Sequence, residues 1–364
     1  MRSRFPARGA ASLSCIALLA LPFLAPKVGS GPQSAGSASH STRVLLSNAA
    51  LPISGGQKQE IPAENQIIKV DVALVTVPVM VADRSGRYVY GLKESDFHIF
   101  ENGVEQEIDR LIPEAESFDV ALMMDSSGST HFKFGDIQSA ALAFVEALRP
   151  RDRLMIVSFD SRISFDSELT DDRAQLRRAL LGTHGTNDST RLYDALDHVV
   201  RERFNRLSGR KAIVLFTDGM DNGSELIDSA GTLAEIEHSD VIVYAIQYDT
   251  RKDGLPKPRD WAVIPRPHGY ATLDDLYAFA VRYLGDLTGH SGGRLYHAET
   301  LASLNEAFSQ IAEELRRQYT LCYYPVNQKR DGSYRRIRVT VDRPGAKVRA
   351  RTGYRAGSQP PAAK

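Results

Sequence analysis

Alternating apolar and polar positions predict strands at the start of the folded part of the chain. β-branched residues dominate 67–81, and the turn residues 83–86 follow them. The runs 97–101 and 106–111 are separated by Asn102-Gly103, two residues that accept the positive φ of a tight hairpin. Residues 65–114 are therefore predicted to form a β segment of about four strands.

The pattern changes after residue 115 to strands that alternate with helices. Strands that are separated by helices need right-handed crossovers, which give a mostly parallel sheet covered on both faces. The predicted fold class is therefore α/β, with a doubly wound, mostly parallel sheet in residues 115–318. Apolar runs predict strands at 120–124, 154–159, 212–216, 241–247 and 293–296, and helical spacing predicts helices at 137–148, 172–181, 192–204, 227–237, 273–287 and 301–317.

Strand patterns return after residue 318, at 319–324, 334–342 and 347–351. A hairpin alone is marginally stable in water. We therefore expect residues 319–356 to pair with residues 65–114. The α/β domain would then be an insertion in a small β domain formed by N- and C-terminal strands.

The two ends of the chain differ from this folded part. Three arginines precede the apolar stretch 12–24, and small and polar residues follow it, an order that is typical of a secretory signal peptide. The stretch is shorter than the roughly 20 residues of a spanning helix. Residues 1–30 are thus expected to be removed on export, and a membrane is a partner only if they are not. Residues 31–64 and 357–364 are expected to be a disordered linker and tail.

Charge and cysteine content exclude some partners and bonds. The chain has 45 Lys and Arg against 45 Asp and Glu, so nothing in its balance favours nucleic acid or an anionic membrane. Loss of residues 1–30 would leave 41 basic against 45 acidic residues, a mildly acidic protein. Of the two cysteines, Cys15 would leave with the signal peptide and Cys322 would remain alone. No intramolecular disulfide is therefore expected.

Oxygen-bearing side chains follow two strands of the predicted sheet. Asp125, Ser127 and Ser129 come directly after 120–124, with Gly128 permitting a tight loop, and Asp218 follows 212–216. Ligands bind at the carboxyl edge of such a sheet, so the two carboxylates are expected to share one site. They would repel each other, and a hard cation is the simplest partner for carboxylates and hydroxyls. The predicted ion is Mg²⁺, with Mn²⁺ or Ca²⁺ as alternatives.

The order of these motifs resembles the von Willebrand factor type A domain family: Asp-x-Ser-x-Ser after a strand, a Thr before a helix, and Thr-Asp-Gly after a later strand. The resemblance covers residues 118–318 and implies a Rossmann-like fold. It also implies a metal-ion-dependent adhesion site at Asp125, Ser127, Ser129, Thr190 and Asp218. Thr186 is the alternative to Thr190, which is preferred because the helix at 192 follows it directly.

The flanking β segments resemble the bacterial von Willebrand A-related group described from acidobacteria. The motifs are Asp96-Phe97-x-Ile99-Phe100-Glu101-x-Gly103 before the central domain and Arg351-x-Gly353-Tyr354 after it. With these flanks the resemblance extends over residues 67–356. It implies a similar build and no settled physiological role.

The expected function is metal-dependent protein binding outside the cytoplasm, without catalysis and without a small-molecule cofactor. Neutral hydroxyls cancel little of the ion's charge, so a partner's carboxylate can fill an open coordination position. Two alternatives stay open: a magnesium-dependent phosphoryl hydrolase, because paired aspartates also serve that reaction, and a purely structural metal site. The hydrolase needs a nearby Lys or Arg, and only Arg191 stands close in sequence.

Three further features have a functional and an ordinary interpretation. Asp221 and Asn222 either support the metal and the partner or form a turn. Trp261, in a Pro-rich loop at the carboxyl edge, is a candidate partner anchor unless it packs onto its own domain. Ser291, within Gly-His-Ser-Gly-Gly, is not expected to be catalytic, and the glycines there are expected to end the helix 273–287.

Overall fold

The computed structural model describes residues 74–112, 116–128, 134–185, 189–248 and 272–357. All of these described residues belong to one compact unit. The predicted signal peptide, linker and tail lie outside the described residues, and their boundaries stay predictions. No helix in the described ranges is long and apolar enough to cross a bilayer.

Strands and helices follow the predicted order. The strands are Val75–Ala82 (β1), Phe97–Glu101 (β2), Val104–Gln106 (β3), Ile108–Ile112 (β4), Phe118–Asp125 (β5), Arg153–Phe159 (β6), Ile163–Thr170 (β7), Arg210–Thr217 (β8), Ile242–Gln247 (β9), Arg294–His297 (β10), Tyr319–Tyr323 (β11), Tyr334–Val341 (β12), Lys347–Ala350 (β13) and Gly353–Arg355 (β14). The α-helices are Phe134–Ala147 (α1), Arg173–Gly182 (α2), Leu192–Asp197 (α3), Ser229–His238 (α4), Leu273–Ser291 (α5) and Leu301–Arg317 (α6).

The central sheet has the strand order β10-β9-β8-β5-β6-β7. All neighbours are parallel except β7, which runs antiparallel to β6 at one edge. The predicted doubly wound, mostly parallel sheet is therefore confirmed. The strand β7 is an addition that the sequence did not predict, because most of its residues are only partly buried and their alternation is weak.

Successive residues of β5 face opposite sides of the sheet, and helices cover both sides. Leu122 belongs to a core with α1 and α6, in which the rings of Phe144 and Phe308 lie 5.3 Å apart. Met123 belongs to a second core, with Leu196 and Leu284 on the other side. Burial on both sides fixes β5, so that its last residue lies at the carboxyl edge of the sheet.

The flanking strands form two sheets, ordered β13-β1-β11-β4 and β14-β12-β2-β3. Strand β1 pairs with β11 and β13, and β2 pairs with β12, all antiparallel. The predicted pairing of N- and C-terminal strands around an inserted α/β domain is therefore confirmed. The Asn102-Gly103 hairpin turn is also confirmed, with φ of 49° and 87°.

Some predicted boundaries were wrong. The strand expected at 106–111 is two strands, β3 and β4, in different sheets. The helix expected over 192–204 ends as an α-helix at Asp197, and a π-helical turn, His198–Arg203, continues it. The helix expected over 273–287 continues to Ser291, because Gly292, at φ 85°, is the first residue there to leave the helical conformation. A further strand, β14, was not predicted.

Candidate metal centre

The loop after β5 brings Asp125 and Ser127 together. Asp125 is the last residue of the strand and is fully buried, and Ser127 is buried beside it. Ser127 donates from its N–H (3.1 Å) and its hydroxyl (2.5 Å) to Oδ1 of Asp125. Ser129 lies outside the described residues. Two of the three predicted oxygen donors of this loop therefore form one hydrogen-bonded turn.

The neighbouring parallel strand β8 supplies the second carboxylate. Thr217, its last residue, donates its hydroxyl to Oδ2 of Asp125 at 2.7 Å. Asp218 follows, buried, and its Oδ1 accepts from the N–H of Met220 at 3.0 Å. Gly219 turns the chain at φ 83°, a conformation that favours glycine, and a Cβ there would lie 2.9 Å from Cδ1 of Leu284.

The two carboxylates act on each other electrostatically. The pKa of Asp125 is raised to about 7, first by burial and then by the negative charge of Asp218. Hydrogen bonds from Ser127 and Thr217 oppose this rise, but all of these donors are neutral groups. A divalent cation beside the pair would remove the repulsion, and carboxylates with hydroxyls are the ligands that Mg²⁺ prefers. The residues present therefore fit a hard cation.

Thr190 is held against the loop that carries Asp218. It is buried, and its N–H donates to Oδ1 of Asn222 at 2.7 Å. Its carbonyl accepts from the N–H groups of Asn222 (3.1 Å) and Gly223 (2.9 Å). Thr186 lies outside the described residues. The choice of Thr190 over Thr186, and its role as a ligand, stay predictions.

Two aspartates, the buried Asp194 and the partly buried Asp221, join the start of α3 to the loop after β8. Oδ2 of Asp221 accepts from the N–H of Tyr193 (3.0 Å) and the hydroxyl of Ser224 (2.6 Å), and so caps the start of α3. Asp194 accepts from the guanidinium of Arg191, and also from the N–H groups of residues 225–227 at 2.9–3.3 Å. Burial alone would raise the pKa of Asp194, but these hydrogen bonds lower it.

Asp194 was missed by the sequence reasoning. It is fully buried, and it lies in the first turn of α3 between the buried residues Leu192 and Ala195. The sequence signal that could have identified it is an acid on the apolar face of a predicted helix, because a buried carboxylate requires hydrogen-bond donors. The segments 190–194 and 218–227 therefore form one hydrogen-bonded unit.

Two candidate residues from the sequence remain, Trp261 and Ser291. Trp261 lies outside the described residues. Ser291 is buried at the end of α5, where its hydroxyl accepts from the N–H of Val243 and donates to the carbonyl of Thr288, both at 2.9 Å. Among the side chains that the structure describes, no group of three or more His, Cys, Asp and Glu could hold a metal ion. A metal at this edge would therefore depend on hydroxyls as well as on the two carboxylates.

Solved structures of low sequence identity resemble this chain. A von Willebrand factor type A protein from Catenulispora acidiphila is 12% identical over 79% of this chain and 74% of its own, with a TM-score of 0.42. The corresponding domain of the pilus tip protein Mfa5 from Porphyromonas gingivalis is 14% identical over 54% and 94%, also at 0.42. Proximal thread matrix protein 1 from the mussel byssus, with zinc in its adhesion motif, is 16% identical over 59% and 49%, at 0.43.

No curated protein matches the chain. The family model of the von Willebrand factor type A domain matches residues 120–220. That range contains Asp125, Ser127, Thr190 and Asp218, in the order that the sequence predicted. The finer grouping with acidobacterial proteins stays a prediction. The chain is therefore similar to the von Willebrand factor type A domain family over residues 120–220.

Proposed function

We propose that the chain is an exported, non-enzymatic protein-binding module that uses a divalent cation, Mg²⁺ first, to bind a carboxylate of its partner. The observation that supports this most is the buried pair Asp125 and Asp218, which repel each other at the carboxyl edge of the sheet. Export is proposed from the signal peptide at residues 1–30, which the structure does not describe.

In this proposal the ion is held by Asp125, Ser127, Ser129, Thr190 and Asp218. When bound, it supplies an electrophilic coordination position that an acidic side chain can occupy. The hydroxyls of Ser127 and Thr217 orient the carboxylate of Asp125 through the hydrogen bonds at 2.5 and 2.7 Å. Asp221 and Asn222 hold the two loops, and Trp261 is proposed as a further contact to the partner.

The contacts of Arg191 favour binding over hydrolysis. A phosphoryl hydrolase needs a cation free to meet the developing charge. The guanidinium of Arg191 instead donates to Oδ2 of the buried Asp194 at 2.7 and 3.0 Å, and Glu225 lies 3.8 Å away. The guanidinium of Arg191, on which the hydrolase alternative depends, is therefore already engaged by two carboxylates.

Manganese relaxation can test the proposal and separate it from a structural metal site. Bound Mn²⁺ accelerates the relaxation of water protons as long as a coordinated water exchanges. We expect the full chain to bind Mn²⁺, and we expect acetate to reduce the relaxation by displacing that water. Asp218→Ala should show no bound Mn²⁺. Absence of binding by the unmutated chain contradicts the proposal, and bound Mn²⁺ that ignores acetate supports the structural alternative.

A further inference from the structure

A second pocket lies at the opposite end of the central sheet. Its volume is about 330 Å³, within the usual range for small-molecule sites. Lys211, at the start of β8, and Asp240, just before β9, line one side of it, and the segment 325–330 and strand β14 line the other. The eight residues of β8 separate it from the metal edge by about 25 Å. The pocket is therefore independent of the candidate metal centre.

Positive charge predominates in the lining of this pocket. Among the described residues that line it, the single carboxylate is that of Asp240, which pairs with Lys211 at 2.8 Å. Arg355 pairs at 2.5 Å with Glu237, which does not line the pocket. The basic residues are Lys211, Lys329, Arg330, Arg335, Arg351 and Arg355.

The pocket has two buried arginines, of which Arg335 has a carboxylate partner and Arg351 has none among the contacts described for it. Arg335 is 2% exposed and pairs with Glu101 at 3.1 Å, yet its Nε is buried and has no hydrogen-bond partner. Arg351 is also buried, and the bonds described for it go to the backbone carbonyls of Gly353, Ser239 and Glu237 at 2.8–2.9 Å. Carbonyls hold a guanidinium in place but do not cancel its charge. A buried cation of this kind is stabilised by an anion.

We propose that this pocket binds a small polyanion that carries phosphate or carboxylate groups. The fork of N–H donors on arginine matches both oxyanions. The floor supplies Arg335 and Arg351, and the rim supplies Arg355 and the exposed Lys329. The apolar residues Phe204, Leu207 and Pro325 line the same pocket and accommodate the carbon skeleton of such a ligand.

Calorimetric titration of the full chain, stripped of divalent metal on a chelating resin and kept in metal-free buffer, tests this inference without the metal centre. Inorganic phosphate and citrate are the two probes, and chloride at the same ionic strength is the blank. We expect saturable binding of at least one probe, and the stronger probe distinguishes phosphate from carboxylate recognition. Loss of one charge-assisted hydrogen bond weakens binding about tenfold, and we expect this for Lys329→Glu and for Arg355→Gln.

Lys347→Glu is the matched control. This substitution changes the charge by the same amount as Lys329→Glu. Lys347 is exposed on β13 and does not line the pocket. The Lys347→Glu variant should bind each probe with the same affinity as the unmutated chain. Thermal unfolding checks that each variant is folded. The inference is overturned if neither probe binds saturably, or if Lys329→Glu and Lys347→Glu bind equally well.

Discussion

The same Asp-x-Ser turn occurs at the metal edge and twice in the β domain. In each turn the serine donates from its N–H and its hydroxyl to one carboxylate oxygen. The distances are 3.1 and 2.5 Å for Ser127 on Asp125, 2.8 and 2.6 Å for Ser85 on Asp83, and 3.0 and 2.6 Å for Ser333 on Asp331. Locally, the three turns are alike.

The surroundings shift the pKa values of these carboxylates in opposite directions. The hydroxyl of Ser85 lowers the pKa of the partly exposed Asp83, and that of Ser333 lowers the pKa of the exposed Asp331. The same bond from Ser127 is outweighed by burial and by Asp218, so the pKa of Asp125 rises to about 7. A cation site therefore requires burial and a second carboxylate in addition to the local motif.

The largest effect is expected when the second carboxylate is removed. A ligand that binds only the folded state stabilises it by about 2.7 kcal/mol at a hundredfold excess over its Kd. We expect Mg²⁺ to raise the free energy of unfolding of the unmutated chain by about this amount. Asp218→Ala should abolish the increase. Asp331→Ala, in the exposed turn, should retain it, and urea unfolding with Mg²⁺ or EDTA measures both.

An intermediate effect is expected at Asp194, which ties the loop of Thr190 to that of Asp218. Asp194→Ala leaves buried N–H donors without partners and should lower the free energy of unfolding by about 2 kcal/mol. It should also weaken Mg²⁺ binding about tenfold, because Thr190 loses its fixed position.

Asp172→Ala is the control for that prediction. Asp172 caps α2 by accepting from the N–H groups of Ala174 and Gln175, away from the metal edge. Its loss should lower the free energy of unfolding by about 1 kcal/mol and leave the Mg²⁺ affinity unchanged. Equal metal affinity in the two variants would show that Asp194 has no role in the site.

The smallest effect is expected in the exposed turn. Ser333→Ala should raise the pKa of Asp331 towards the ordinary value of 3.8, because the hydroxyl is the main cause of its lowering. The folded pKa is lowered, so the stability that this bond contributes is present above pH 3.8 and is lost as pH falls through the folded pKa. Carboxyl NMR from pH 2 to 6 measures the pKa, and an unchanged value would refute the assignment.

Strong periodicity made part of the fold predictable from sequence. The helix 301–317 and the strand 97–101 were predicted with the bounds that the structure has. Strand β7 escaped prediction because it is a half-exposed edge strand. The proximity of Asp125 and Asp218 was expected from the two strand ends, and the electrostatic effect of Asp218 on Asp125 agrees with it. The bonds of Asp194 to residues 225–227 did not, because they depend on how two loops meet.

Calorimetric titration of Mg²⁺ into the unmutated chain, Ser127→Ala and Ser333→Ala tests the central claim most directly. The two variants lose the same serine hydroxyl from the same local turn, one buried beside Asp218 and one exposed. We expect saturable binding by the unmutated chain and by Ser333→Ala, and binding at least about tenfold weaker by Ser127→Ala. No binding by the unmutated chain, or equal affinity of the two variants, would contradict the claim that this edge of the sheet is a cation site.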